Sequence, residues 1–161
     1  MNNIPGDTST IMIYKEEAEA ILGKVSEYLL EVYAYKQQGV YICDNLEAGQ
    51  ENFRIMAHRK RYDIYLRFGR TWVCEDQKSI VIARIGFEKQ HAGHGTALLL
   101  NLAVIAQKYD YKFLAIESVN ANSEAFALKL GFDAHPLPKC YIISTEALIK
   151  SLQERSALVE A

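Results

Sequence analysis

Gln90-His91-Ala92-Gly93-His94-Gly95-Thr96 is the segment whose residue types and spacing most directly suggest chemistry. It stands between Ser79–Phe87, rich in β-branched residues, and the apolar run Ala97–Ala106. Glycines at 93 and 95 let a backbone approach a ligand closely, and a helix starting here would aim its first free N–H groups at the same spot. The partial positive charge of a helix start suits an anion, phosphate above all. The spacing is neither the G-x-G-x-x-G of a dinucleotide site nor the G-x-x-x-x-G-K-[ST] of a P-loop. What remains is Gln-x-x-Gly-x-Gly after a strand and before a helix. The bland alternative is a plain strand–helix turn with glycine kept for packing.

A second block follows in Leu114-Ala115-Ile116-Glu117-Ser118-Val119-Asn120 and Ser123-Glu124-Ala125-Phe126-Ala127-Leu128-Lys129-Leu130-Gly131-Phe132. Together the two blocks resemble the GNAT superfamily of N-acetyltransferases. Its acetyl-coenzyme A loop is written [RQ]-x-x-G-x-[GA], its next strand ends near an Asn, and a short helix then closes on K-L-G-F. The matching run from Ile80 to Phe132 covers about a third of the chain.

The resemblance implies acetyl-coenzyme A as cofactor and assigns positions to it. Gln90 belongs to that cofactor loop, and backbone N–H groups from His91, Ala92, Gly93, His94, Gly95 and Thr96 would hold the pyrophosphate, as charge-assisted bonds of about 1.5–3 kcal/mol each. Ile85 and Phe87 would pair their backbone with the pantetheine arm in a slot between splayed central strands. A backbone N–H near Phe87 would polarise the thioester carbonyl. Asn120 would contact the arm, and Lys129 is a candidate for the 3′-phosphate. One departure matters. Family helices of this type often carry a Tyr four residues before the K-L-G-F glycine, giving its hydroxyl to the departing thiolate, and that position is Ala127 here. Loss of a general acid typically costs about 10²–10⁴-fold in rate. Tyr141 and Tyr111 are alternative hydroxyls, though each is also a natural packed aromatic.

An acceptor amine with pKa about 10.4 must lose a proton before it attacks. Glu117 is the best-placed carboxylate by sequence and Glu88 the runner-up, with Ser118 as a polar liner. Neither acid matches an invariant family base, and an ordinary solvated carboxylate is the simpler account of each. His91 and His94 have no third ligand nearby in sequence, so no metal site is expected. The basic run His58-Arg59-Lys60-Arg61, with Arg54, Arg67 and Arg70 near it, reads as a solvated hairpin tip.

These groups need elements to position them. Lys15–Gln38 carries an apolar stripe of Ala18, Ile21, Leu22, Val25, Leu29, Val32 and Tyr33, which predicts an amphipathic helix stopped by Gly39. Tyrosines 28, 33, 35 and 41 either pack or line a substrate or dimer surface. Met1–Thr8 is polar and reads as loose, and Ile11–Tyr14 is either a short strand or the first turn of the helix. Period-two alternation predicts strands over Phe53–His58 and Tyr62–Phe68 joined through Arg59-Lys60-Arg61. Thr71–Cys74 and Ser79–Phe87 are expected to pair across Glu75-Asp76-Gln77-Lys78. The motif helix, a strand Phe113–Val119, a helix Ser123–Leu130, a strand Cys140–Ser144 and a helix Leu148–Leu158 complete one α/β domain over residues 1–161. That is an α+β arrangement, with a mixed central sheet flanked by helices.

Bulk properties bound the function. A chain of 161 residues with net charge −2 and 50% apolar content is ordinary for a globular domain with a proper core. No strong basic field argues for nucleic acid as the main partner. Three separated cysteines, Cys43, Cys74 and Cys140, read as reduced thiols of a cytoplasmic protein. Neither a signal peptide nor a span long enough for a bilayer of about 30 Å is visible. The leading expectation is transfer of an acetyl group from acetyl-coenzyme A to an unidentified amine by direct attack in a ternary complex. A coenzyme A-binding regulatory protein without efficient turnover is the main alternative. An RNA- or protein-binding module acting through residues 54–70 is a third. Dimers are common in the family, so a homodimer stays open.

Overall fold

Strict alternation along the middle of the chain builds the sheet. In the computed structural model, which describes residues 11–88, 93–117 and 120–160 with side chains through 154, Tyr62, Ile64, Leu66 and Phe68 point into the core while Asp63, Tyr65 and Arg67 point away from it. Seven strands run in the order β1-β2-β3-β4-β5-β7-β6. They are β1 (Val40–Ile42), β2 (Asn52–Arg59), β3 (Tyr62–Thr71), β4 (Cys74–Phe87), β5 (Tyr111–Ile116), β6 (Asp133–Ala134) and β7 (Tyr141–Ser144). All neighbours are antiparallel except β4 and β5, which are parallel and joined through helix α2 (His94–Tyr109).

Helices α1 (Lys15–Val32), α2 and α4 (Thr145–Glu160) contribute to one continuous core. Ile21, Val25 and Leu29 of α1 and Leu98, Leu102 and Ile105 of α2 are fully buried with Ile64, Leu66, Ile80 and Leu114. Each such side chain gains about 1.5–3 kcal/mol from leaving water. Val81 and Ala115 are also fully buried but lie outside that core cluster, on the opposite sheet face.

Several expectations need correction. The first helix ends at Val32 and not at Gln38, because Tyr33 turns to extended backbone (φ −137°, ψ 113°). Gly39 is therefore no helix stop: it meets β2, accepting from His58 N–H at 2.8 Å, and a Cβ there would collide with the His58 carbonyl. Ile13 is neither strand nor helix but a single bridge to Gln50. The β3–β4 turn falls at Trp72-Val73, and Glu75–Lys78 extends β4, since Thr71 Oγ1 caps Val73 N–H at 3.1 Å and meets Ser79 Oγ at 2.6 Å. The strand ahead of Asn120 runs from Tyr111 to Ile116, and the closing helix starts at Thr145. Short edge strands β1 and β6 carry too few residues for a period to show. The tail Met1–Thr8 lies outside the described residues.

Candidate active site

A β-bulge opens the site. Tyr65 pairs with Arg84 and Leu66 with Ile82, so Ala83 has no partner on β3. The parallel ladder between β4 and β5 stops at the same level. Its last pair is Ile82 with Ile116, followed by one bond from Glu117 N–H to the Ile82 carbonyl at 3.2 Å. Beyond it, β4 continues along β3 while β5 has ended. Glu88 N–H bonds the Arg61 carbonyl at 2.9 Å. By strand alternation the backbone groups of Ile85 and Phe87 then face away from β3, into the gap. A cleft of about 620 Å³ fills that gap, walled by Ile82–Phe87, the start of α2, the end of β5 and helix α3 (Ala121–Lys129).

Gly93 enters α2 in the left-handed conformation (φ 84°, ψ 3°), which glycine adopts without a Cβ penalty. Among the described residues no side chain caps this end. The first helical bond is Ala97 N–H to the Gly93 carbonyl at 3.0 Å, so the N–H groups of His94, Gly95 and Thr96 have no intrahelical partner. They lie at the cleft, where anionic oxygens would satisfy them. The His94 ring sits between Phe87 at 5.4 Å and Tyr33 at 5.5 Å. Phe126 closes the opposite wall, its ring tip 3.2 Å from where a Cβ on Gly95 would stand. An open backbone edge beside uncapped amides suits an extended ligand that ends in phosphates.

Of the residues singled out by sequence, Ile85, Phe87, Gly93, His94, Gly95, Thr96, Glu117, Asn120 and Lys129 all line this cleft. Gln90, His91, Ala92 and Ser118 lie outside the described residues. Asn120 is also the cap of α3: its Oδ1 accepts from Ser123 N–H at 3.0 Å while Ser123 Oγ accepts from Asn120 N–H at 2.9 Å. Glu117 is held from both sides, by Arg67 Nη1 at 2.6 Å and Trp72 Nε1 at 2.8 Å. Tyr141 is not among the lining residues. Its hydroxyl donates to Glu124 at 2.6 Å, and that bond raises its pKa above the ordinary 10.0. Tyr111 is remote as well, buried against Glu17. Glu88 stands on the surface near Arg61 at 3.6 Å. Ala127 is fully buried and does not line the cleft.

Arg67, Trp72, Arg84 and Phe126 reach or brace the cleft without having been singled out for it. Arg67 stood in the basic run, where its place on the solvent side of an alternating strand was the available signal. Nothing local marks Trp72, because its partner Glu117 is 45 residues away.

No family model matches this chain, and no curated protein does. Solved structures similar to it include AtaTR bound with acetyl-coenzyme A, 14% identical over 62% of this chain and 71% of that one, with a TM-score of 0.46. The KacTA–DNA complex is 16% identical over 90% of each chain, with a TM-score of 0.48. A Desulfovibrio desulfuricans protein of the GNAT family is 20% identical over 89% of this chain and 96% of that one, at 0.43. At such distances these likenesses carry no residue role to this chain. The expectation against nucleic acid is neither supported nor opposed by likenesses this distant, although one of those structures is a complex with DNA.

Proposed function

We propose that this chain transfers an acetyl group from acetyl-coenzyme A to an amine within a ternary complex. The observation that carries the reading is the β4 edge at Ile85 and Phe87, unpaired among the described residues, running to the amides of His94, Gly95 and Thr96 that no described side chain caps. An extended arm with two amides fits the first, and a pyrophosphate fits the second. Gln90, His91 and Ala92 belong to the same loop by resemblance, Asn120 would meet the arm, and Lys129 would reach the 3′-phosphate.

The amine attacks the thioester carbonyl, the carbon–sulfur bond breaks, and the thiolate leaves with the electron pair. The Phe87 N–H, aimed into the cleft, is the donor placed to steady the developing oxyanion. A thiol of pKa about 8.5 leaves without full help from an acid, which accords with the buried Ala127. Glu117 is the carboxylate at the cleft. Both its oxygens already accept from donors, so it fixes Arg67 and Trp72 and leaves the amine's proton to water. Ser118 remains a polar liner in this reading, and Tyr141 is not needed. No helix among the described residues is long and apolar enough to cross a membrane. We place the reaction in the cytoplasm, in keeping with three free cysteines.

A second reading is favoured by the same two observations. With Ala127 buried and both Glu117 oxygens engaged, the chain binds coenzyme A as a regulator and turns it over poorly. Calorimetric titration with acetyl-coenzyme A, beside Gly93→Val, tests the site. Thiol release across a panel of amines then separates enzyme from regulator. Failure of the folded protein to bind acetyl-coenzyme A would sink both.

A further inference from the structure

The sheet face turned away from α1 and α2 carries a pattern that fold stability alone does not favour. Arg54 on β2 and Arg67 on β3 are direct cross-strand partners. Like charges set opposite each other destabilise a ladder. Arg84 joins them from β4, directly opposite Tyr65. The guanidinium carbons of Arg67 and Arg84 lie 5.0 and 5.9 Å from the Tyr65 ring centre. Three strands thus hold three guanidiniums across roughly 10 Å of one face. Breaches of a local rule concentrate where a surface has a job.

Each arginine has a carboxylate, but the carboxylates sit lower. Side-chain exposure is 47% for Arg54 against 16% for Asp44, and 36% for Arg67 against 16% for Glu117. Arg84 and Asp63 are nearer level, at 48% and 40%. Arg54 spends Nε and Nη2 on Asp44, Arg67 spends Nη1 on Glu117, and Arg84 turns Nε to Asp63. Arg67 Nε donates to the Tyr65 hydroxyl at 3.4 Å, and among the described residues no hydrogen bond runs from its Nη2. The guanidiniums of Arg54 and Arg67 therefore stand outermost on this face and offer donors, each above the carboxylate it pairs with. Arg84 and Glu117 both line the cleft, so this face runs into its inner end.

We propose that this face seats the acceptor, and that the acceptor is a small amine carrying its own carboxylate or phosphate. This rests on acetyl transfer at the adjacent cleft. The guanidinium edges grip the anionic group while the amine enters beside Glu117 at the end of β5. A polyamine meets the same donors with the wrong sign. A long polyanion finds too short a positive run, given the acids that interrupt it.

Trp72, the chain's single tryptophan, donates to Glu117 and so reports on this face without any turnover. Its emission is followed while the protein is titrated with O-phosphoethanolamine, β-alanine, ethanolamine and spermidine. Phosphoethanolamine or β-alanine should bind about tenfold or more tighter than ethanolamine, the worth of one charge-assisted bond; which of the two wins tells phosphate from carboxylate. Arg54→Gln, outside the cleft wall, should erase that preference while acetyl-coenzyme A binds it as it binds the parent. Equal binding of ethanolamine, tighter binding of spermidine, or a preference that survives Arg54→Gln would overturn the inference. Loss of acetyl-coenzyme A binding in the parent protein would instead overturn the transfer reading, and the acceptor role with it.

Discussion

The Tyr28 hydroxyl donates to the main-chain carbonyl of His94 at 2.6 Å, tying the core face of α1 to the first residue of α2. That bond fixes the very turn whose amides face the cleft. Tyr28→Phe keeps the ring and removes the tie. We expect a loss of about 1 kcal/mol, a fall in Tm of about 2–4 °C for a chain this long, and weaker acetyl-coenzyme A binding at unchanged stoichiometry. Calorimetry on the variant decides this; unchanged affinity would free the turn from α1.

Two buried hydroxyls set an alkaline limit. Burial raises the Tyr28 pKa above its ordinary 10.0, and burial followed by the charge of Glu17 raises that of Tyr111. Both groups keep their protons in the folded state at a pH where the unfolded chain releases them. Their contribution is complete below about pH 10 and is lost as pH rises beyond it. Denaturant melts at stepped pH should show that decline. Tyrosinate absorbance should lag for these residues until unfolding begins.

Placing a tyrosine at position 127 should not add a catalytic hydroxyl. Ala127 is fully buried, with its side chain away from the cleft lining. A ring forced in there overpacks the core, at about 1–3 kcal/mol or more. Ala127→Tyr is expected to lower Tm by several degrees without raising kcat. A gain in turnover would show that α3 rotates when substrates bind.

Glu117 separates a base from a brace. Glu117→Gln keeps an oxygen for Trp72 and removes the charge that holds Arg67. With the acid as brace, kcat falls while the pH profile of kcat/KM keeps its shape. Disappearance of its acidic limb would make Glu117 the proton acceptor. Glu117→Ala strands both donors and should cost about 1–3 kcal/mol more than the glutamine.

Gly95 and Phe126 set the width of the cleft. The Phe126 ring tip lies 3.2 Å from where a Cβ on Gly95 would stand, tight enough that the ring must give by a few tenths of an ångström. Gly95→Val should push the ring across the slot and weaken acetyl-coenzyme A binding. Phe126→Ala in the same chain should restore part of it, and a double-mutant cycle by calorimetry measures the coupling.

What the sequence determined by itself was local. Alternation marked β2 and β3 because side chains of a strand change face at every residue, whatever lies elsewhere. The glycine loop was legible because a turn and a helix start depend on a few consecutive residues, and Asn120 with Ser123 forms its cap within four positions. Tertiary structure decided the rest. The bulge at Ala83 exists only through the register of β4 on β3, and it is what parts β4 from β5. Tyr28 meets His94 across 66 residues, and Arg67 meets Glu117 across 50. Such bonds depend on how strands and helices dock, which no window of sequence contains. Ala127 makes the same point from the other side: the sequence shows that no hydroxyl stands there, and only the packing of α3 shows that the position faces away from the cleft.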